Sequence, residues 1–125
     1  MRPRSSKELL SVASLKAFLV SDVTNIRYLT GLNLSAGILL VLPRRFVLFV
    51  DDRYKEMAEK NIPKGFAVRD SNHLVSVMQN IREIGIEADK VSILRLARWK
   101  RKFPHTKFVR KIGVCEEFRR SKEPQ

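Results

Sequence analysis

Two adjacent carboxylates, Asp51 and Asp52, follow the apolar run Phe46 to Val50, where a strand gives way to a helix. Acids at strand ends often carry divalent cations or proton-transfer chemistry. Neighbours on a strand point to opposite faces, however, so this pair would need further ligands from elsewhere. No other acid stands in ligand spacing to it. Carboxylates at a helix start also accept backbone N–H bonds and oppose the helix dipole, and the residues favour that role. The two histidines, His73 and His105, are far apart and have no Asp, Glu or Cys beside them in ligand or general-base spacing. Cys115, the single cysteine, lies between Val114 and Glu116 with no adjacent histidine, and reads as an ordinary thiol rather than a nucleophile. It cannot close an internal disulfide, which points to a reducing compartment. The glycines Gly31, Gly37, Gly65, Gly85 and Gly113 are scattered and form no phosphate loop, either of Walker or of dinucleotide type.

The strongest electrostatic signal runs from Lys90 to Cys115. This segment holds nine basic residues and no acid, interleaved with Trp99, Phe103 and Phe108. Arg98, Lys100, Arg101, Lys102, Lys107, Arg110 and Lys111 form a candidate polyanion patch. A solvated helix face with its aromatics buried in the core fits the same pattern. The whole chain has 25 basic and 13 acidic residues, a net charge of +12, which raises affinity for nucleic acid, acidic proteins or anionic surfaces.

A chain of 125 residues is expected to form one domain. Its 44% apolar content supports a packed core. Arg2, Arg4 and Lys7 precede an apolar stretch from Leu9 to Val20, but Glu8 and Lys16 interrupt it and no small-residue cleavage site follows. No run reaches membrane-spanning length. The expectation is a cytoplasmic protein without a membrane partner.

The elements follow from periodicity and punctuation. Ser6 caps a helix with Leu9, Leu10, Val12, Ala13 and Leu15 inward. Ala17 to Val20 is a short strand, and Ser21 or Asp22 caps a helix over 23–30 that Gly31 stops. Gly37 to Leu42 and Phe46 to Val50 form a hairpin around Pro43-Arg44-Arg45. A helix follows Asp51-Asp52 and ends by Asn61, Pro63 and Gly65. Phe66 to Val68 is a strand. Asp70, Ser71 or Asn72 caps a helix carrying Leu74, Val75, Val77, Met78 and Ile81, closed by Gly85. Ile84 to Glu87 is a weak strand. A basic helix over 90–103 turns Val91, Leu94, Ala97 and Trp99 inward and stops at Pro104. Lys107 to Val109 is a last strand, and 113–120 a last helix. The predicted fold is α/β, three layers with a mixed, roughly six-stranded sheet flanked by helices. The domain is expected over 1–118, with 119–125 the start of a linker.

Several of these junctions resemble the amino-terminal domain of the creatinase/prolidase family, the Xaa-Pro aminopeptidases and dipeptidases. Asn25-Ile26-Arg27-Tyr28-Leu29-Thr30-Gly31 matches the family's stretch directly, with Leu32 in place of an aromatic. Ser35-Ala36-Gly37 before a strand also matches. Asp51, Arg53 and Tyr54 fit the family's Thr-Asp-Gly-Arg-Tyr, with Val50 for Thr and Asp52 for Gly. Gly85-Ile86-Glu87-Ala88-Asp89 is similar to Gly-Phe-Glu-Ala-Asp, and Arg119 to Pro124 looks like a variant of the lead-in to the family's linker helix. The motifs stand in the family's order over nearly the whole chain.

The resemblance implies a non-catalytic domain. In this family a carboxy-terminal domain holds two divalent ions (manganese, cobalt or zinc) on two Asp, one His and two Glu, and none of those ligands has a counterpart here. No cofactor is expected in this chain itself, nor hydrolysis of peptides by the chain alone. The implied partners are its own catalytic domain and a second subunit, since family members use this domain for dimer contacts and to wall the substrate site. The loop after Gly31 is the piece implied near that site, with Asn33 and Ser35 hydrogen-bonding substrate and Leu34 lining it. Asn25, Arg27, Tyr28, Gly31, Gly37, Asp51, Arg53 and Tyr54 are implied to be structural. Arg27 and Arg53 would hold the fold together by pairing with carbonyls or with carboxylates such as Asp51 or Asp22. The alternative is a free-standing basic module for an acidic protein or nucleic acid.

Overall fold

The computed structural model describes residues 6–122. The chain order is α1 (Ser6–Ala13), β1 (Phe18–Val20), α2 (Val23–Thr30), β2 (Ile38–Leu42), β3 (Arg45–Val50), α3 (Asp52–Asn61) and β4 (Phe66–Asp70). After a 3-10 turn (Ser71–His73) come α4 (Leu74–Met78), β5 (Glu83–Glu87), α5 (Ile93–Lys102), β6 (Lys107–Lys111) and α6 (Val114–Lys122).

The strands form one six-stranded sheet in the order β4-β3-β2-β1-β5-β6. β2 pairs antiparallel with β1 and β3, placing Leu40 between Leu19 and Val47. The β1–β5, β5–β6 and β3–β4 pairs are parallel. Only β2 therefore runs against the rest. One end of the sheet gathers the C-terminal ends of β1, β3, β4, β5 and β6 with the start of β2. The opposite end holds the β2–β3 turn.

Both faces of the sheet are covered, which explains why its central strands read as unbroken apolar runs. On one face Phe18, Val20, Leu39, Val41, Phe46 and Leu48 pack with Leu9, Ile26, Ala58 and Phe118 from α1, α2, α3 and α6. On the other, Leu19, Leu40, Val47, Phe49, Ile84 and Ile86 pack with Leu74 and Met78 of α4 and with Trp99 and Phe103 from α5 and its end. The result is the predicted three-layer α/β arrangement.

Three local expectations are corrected. α5 begins at Ile93, where Ser92 caps it by accepting from Arg95 N–H at 3.0 Å. Trp99, Phe103 and half-buried Leu96 set its inward face, so Leu94 is turned out at 65% exposure and Ala97 is exposed as well. Gly85 does not end a helix. α4 stops at Met78 and turns through Asn80 and Ile81, because Arg82 already accepts from Lys107 N–H as β5 and β6 begin to pair. Gly85 lies mid-strand, where a Cβ would sit 2.5 Å from both Leu15 Cδ1 and Phe18 Cδ1. Asp70 makes no side-chain cap; it belongs to β4, and its carboxylate accepts from Lys55 Nζ at 3.3 Å. The terminal helix α6 runs through the expected boundary at 118/119. Residues 123–125 of the expected linker lie outside the described residues.

Candidate functional site

The motif from Asn25 to Gly31 is built around the N-terminus and the exit of α2. Asp22 caps the helix, accepting from Asn25 N–H at 3.1 Å. Asn25 is buried, and its amide donates to Glu87 Oε2 at 2.6 Å and to Glu116 Oε2 at 3.4 Å. Glu87 Oε1 accepts from the N–H groups of Ser21 and Asp22, at 2.9 and 3.0 Å. A carboxylate at the end of β5 thus holds the start of α2 through three donors. Burial, and to a lesser degree the charge of Asp22, raises the Glu87 carboxyl above its ordinary value against the pull of those hydrogen bonds. Burial first, then Glu87 and Glu116, push the Cys115 thiol far above the ordinary range, so this cysteine is chemically quiet.

At the helix exit, buried Thr30 donates through Oγ1 to Ile26 C=O at 2.7 Å and accepts from Leu32 N–H at 3.0 Å. Gly31 takes φ 79°, the left-handed conformation that ends the helix, and its N–H donates to Arg27 C=O at 2.7 Å. Tyr28 is 39% exposed, with its ring under the Arg119 guanidinium at 4.5 Å. Arg27 is exposed, and no carboxylate among the described residues pairs with it.

The loop that follows divides its side chains cleanly. Leu32 and Leu34 are buried in the core, whereas Asn33, Ser35 and Ala36 are exposed. Leu34 therefore anchors the loop from beneath, and Asn33 and Ser35 are the groups offered outward. The Ser35 hydroxyl hydrogen-bonds the Tyr54 hydroxyl, tying the loop to α3. That bond draws the Tyr54 hydroxyl below its usual pKa. α3 is fixed in turn by Asp51, which accepts from Arg53 N–H at 3.0 Å and from Arg53 Nη2 at 2.9 Å. The guanidinium hydrogen bond holds the Asp51 carboxyl below its usual value. Asp51 is thus the helix cap that the sequence favoured, while Asp52 is exposed in the first turn.

The loop and the Asp51 cap stand at the sheet end where five strands finish. Behind them is a small recess of about 190 Å³ lined by Gly37, Phe49, Asp51, Ser71, Leu74 and Arg95. Arg95 reaches it from α5 while its guanidinium lies 5.0 Å from the centre of the Trp99 ring. The sequence offered Arg95 only as one charge among many. Its spacing of four from Trp99 was the one signal of this stacked placement.

The basic residues are distributed along α5 and the sheet's edge strand β6. Arg98, Lys100, Arg101, Lys102, Lys107 and Arg110 are exposed, and Lys111 is half-buried. Trp99 and Phe103 are buried in the core and Phe108 is half-buried, so this surface offers charge without free stacking platforms. Among the described residues, no group of three or more His, Cys, Asp or Glu side chains could hold a metal ion. No helix among them is long and apolar enough to cross a membrane.

The model of the Creatinase/Prolidase N-terminal domain matches residues 2–121. The chain belongs to this family. The creatinase/prolidase assignment accounts for the junctions described above, among them the Asp51 cap, the Gly31 turn and the buried Asn25–Glu87 pair. Among solved structures, the domain is similar to the N-terminal domain of the cytoplasmic peptidase PepQ from Mycobacterium tuberculosis H37Rv, with 28% identity and a TM-score of 0.76 over 90% of this chain and 95% of that one. It is similar to an Xaa-Pro aminopeptidase structure from Streptococcus pyogenes, with 26% identity and a TM-score of 0.79 over 90% of both chains. The Xaa-Pro dipeptidase from Bacillus anthracis shares the fold at 22% identity and a TM-score of 0.80; this domain covers 91% of its own length and 34% of that chain. No curated protein sequence matches the chain.

Proposed function

We propose that this creatinase/prolidase domain is the non-catalytic amino-terminal part of a metal-dependent Xaa-Pro dipeptidase or aminopeptidase, where it supports a homodimer and walls the substrate site. The observation that carries this reading is the family match over residues 2–121, together with neighbours named as Xaa-Pro peptidases. The two divalent ions and the bond-breaking chemistry belong to a catalytic domain; the described side chains of this domain offer no ligand cluster for them. A cytoplasmic location fits the same reading.

The domain's contribution is positional. Thr30 and Gly31 end α2, Leu32 and Leu34 seat the loop in the core, and Tyr54 holds Ser35 from α3. Asn33 and Ser35 are thereby presented with little freedom, as a group that orients a peptide must be. The test is made in the peptidase that carries this domain. Replacing Asn33 and Ser35 together by Ala should lower kcat/KM on an Xaa-Pro dipeptide about tenfold, the size of one or two lost hydrogen bonds, with the melting temperature lowered only slightly by loss of the exposed Ser35–Tyr54 bond. Unchanged kinetics would remove the loop from the site.

A second reading, docking of an acidic protein or nucleic acid, is favoured by the exposed basic residues of α5 and β6, a segment that contains no acid of its own. With Trp99 and Phe103 buried, nucleic acid could bind only through phosphate contacts. DNA affinity should then collapse between low and physiological salt. Absence of affinity at low salt would dispose of nucleic acid as a partner.

A further inference from the structure

A wide groove lies at the sheet end remote from the Leu32–Ser35 loop. It is open, with a volume of about 960 Å³, and is lined among others by Leu10, Leu15, Leu42, Ile81, Lys16 and Arg82. Its walls are one face of α1, the lead into β1, the β2–β3 turn and the segment that enters β5. The helix contributes Lys7, Leu10 and Ser11, which share one helical face, and Ser14 joins them from the turn that ends it. The size is that of a small-molecule site.

Its chemistry is divided in two. Leu10 and Ala17 are buried at the base, and half-buried Leu15, Leu42 and Ile81 extend the apolar surface. Lys7, Lys16 and Arg82 stand around it, and none of them makes an ion pair with the described residues. The one carboxylate in the lining, Glu83, lies 3.8 Å from Lys107 Nζ and is neutralised there. An apolar trough with an uncompensated cationic rim selects an apolar body carrying a negative head. A cation is repelled, and a simple inorganic anion leaves the trough unfilled.

We propose that this groove is a binding site for an amphipathic carboxylate, its apolar chain on Leu10, Leu15, Leu42 and Ile81 and its head held by Lys16 and Arg82. A guanidinium suits a carboxylate because it can donate two parallel hydrogen bonds. The groove is independent of the peptidase reading, since it uses neither the loop nor any residue near it.

Calorimetry and amide-shift mapping with decanoate test the site on the whole chain. Saturable binding is expected with Kd about 0.1 mM, ordinary for a ligand of this size. Amide shifts should concentrate at residues 14–17, 42–43 and 80–83. Decan-1-ol, which keeps the chain and loses the charge, should bind at least tenfold more weakly, and K16A/R82A should lose at least tenfold for decanoate. Ser11→Trp, an exposed helix position facing the groove, should block binding without lowering the melting temperature. Equal affinity for the alcohol, shifts elsewhere, no saturable binding, or indifference to K16A/R82A and to Ser11→Trp would each overturn the proposal.

Discussion

Glu87 is the residue on which most of the motif chemistry converges. Its carboxylate accepts from Ser21 N–H, Asp22 N–H and the Asn25 amide, and all three lie at the junction of β5 with α2. Truncation to Ala leaves those donors in a buried site without a partner. The expected loss is about 3 kcal/mol, since each orphaned buried donor costs roughly 1–3 kcal/mol and some will recruit water. Glu87→Gln keeps one acceptor oxygen for the two backbone groups and forces Asn25 to rotate, at about 1 kcal/mol. The two variants also separate charge from hydrogen bonding. Desolvation raises the Glu87 carboxyl in the folded state, with Asp22 adding to it. The folded protein therefore holds this proton to a higher pH than the unfolded chain. The associated stability is complete below the ordinary glutamate value and declines as pH rises through the raised one. Glu87→Gln has no such decline, so its deficit relative to the parent should shrink across that window in urea denaturation. A deficit that grows with pH would show that the hydrogen bonds outweigh burial.

At the scale of elements, what could be read from sequence was what neighbouring residues decide among themselves. The Asp51 cap, the Gly31 stop and the β2–β3 hairpin depend on local backbone bonds, and each stands where residue type placed it. The inward face of α5, the early end of α4 and the position of Gly85 depend on partners far away in the chain, and these were the misread features. Leu94 fits an apolar stripe as well as Leu96 does until Trp99 and Phe103 fix the helix rotation. The candidate loop was legible only through the family resemblance, and the core position of Leu34 required the fold. Two glycine exchanges test this tertiary control. Gly85→Ala should cost about 1–3 kcal/mol, because the new methyl meets Leu15 and the fully buried Phe18 ring, and overpacking of a tight core costs that much. Ser14→Gly should stabilise by about 0.5–1 kcal/mol. Ser14 occupies the left-handed position of the turn ending α1, at φ 57°, where glycine carries no Cβ penalty. A neutral Gly85→Ala would mean that α1 and β1 can shift to make room.

Across the whole molecule, charge is distributed unevenly enough to affect stability. The net charge is +12, yet the segment from Lys90 to Cys115 contains no acid. On α5, Arg98 lies three residues after Arg95, three before Arg101 and four before Lys102, all like-charged neighbours on a helix surface. The last-turn cations gain from the helix dipole, but Arg98 sits too far from the end to share that gain. Each like-charged helical pair costs about 0.2–0.5 kcal/mol, so three of them at one residue come to about 1 kcal/mol. Arg98 also lowers the pKa of half-buried Arg95, after desolvation the second cause of that shift, as repulsion between them requires. Reversing the charge with Arg98→Glu turns all three contacts attractive and sets Glu four residues ahead of Lys102, the favourable orientation. In 20 mM NaCl the variant should therefore melt several degrees above the parent. The parent should gain stability as NaCl rises to 0.5 M, where the screening length falls to about 4 Å, and the advantage of the variant should fade with it. Thermal denaturation of both proteins across that series decides the matter. A variant less stable at low salt, or a difference indifferent to salt, would show that packing around Arg98 outweighs the repulsion.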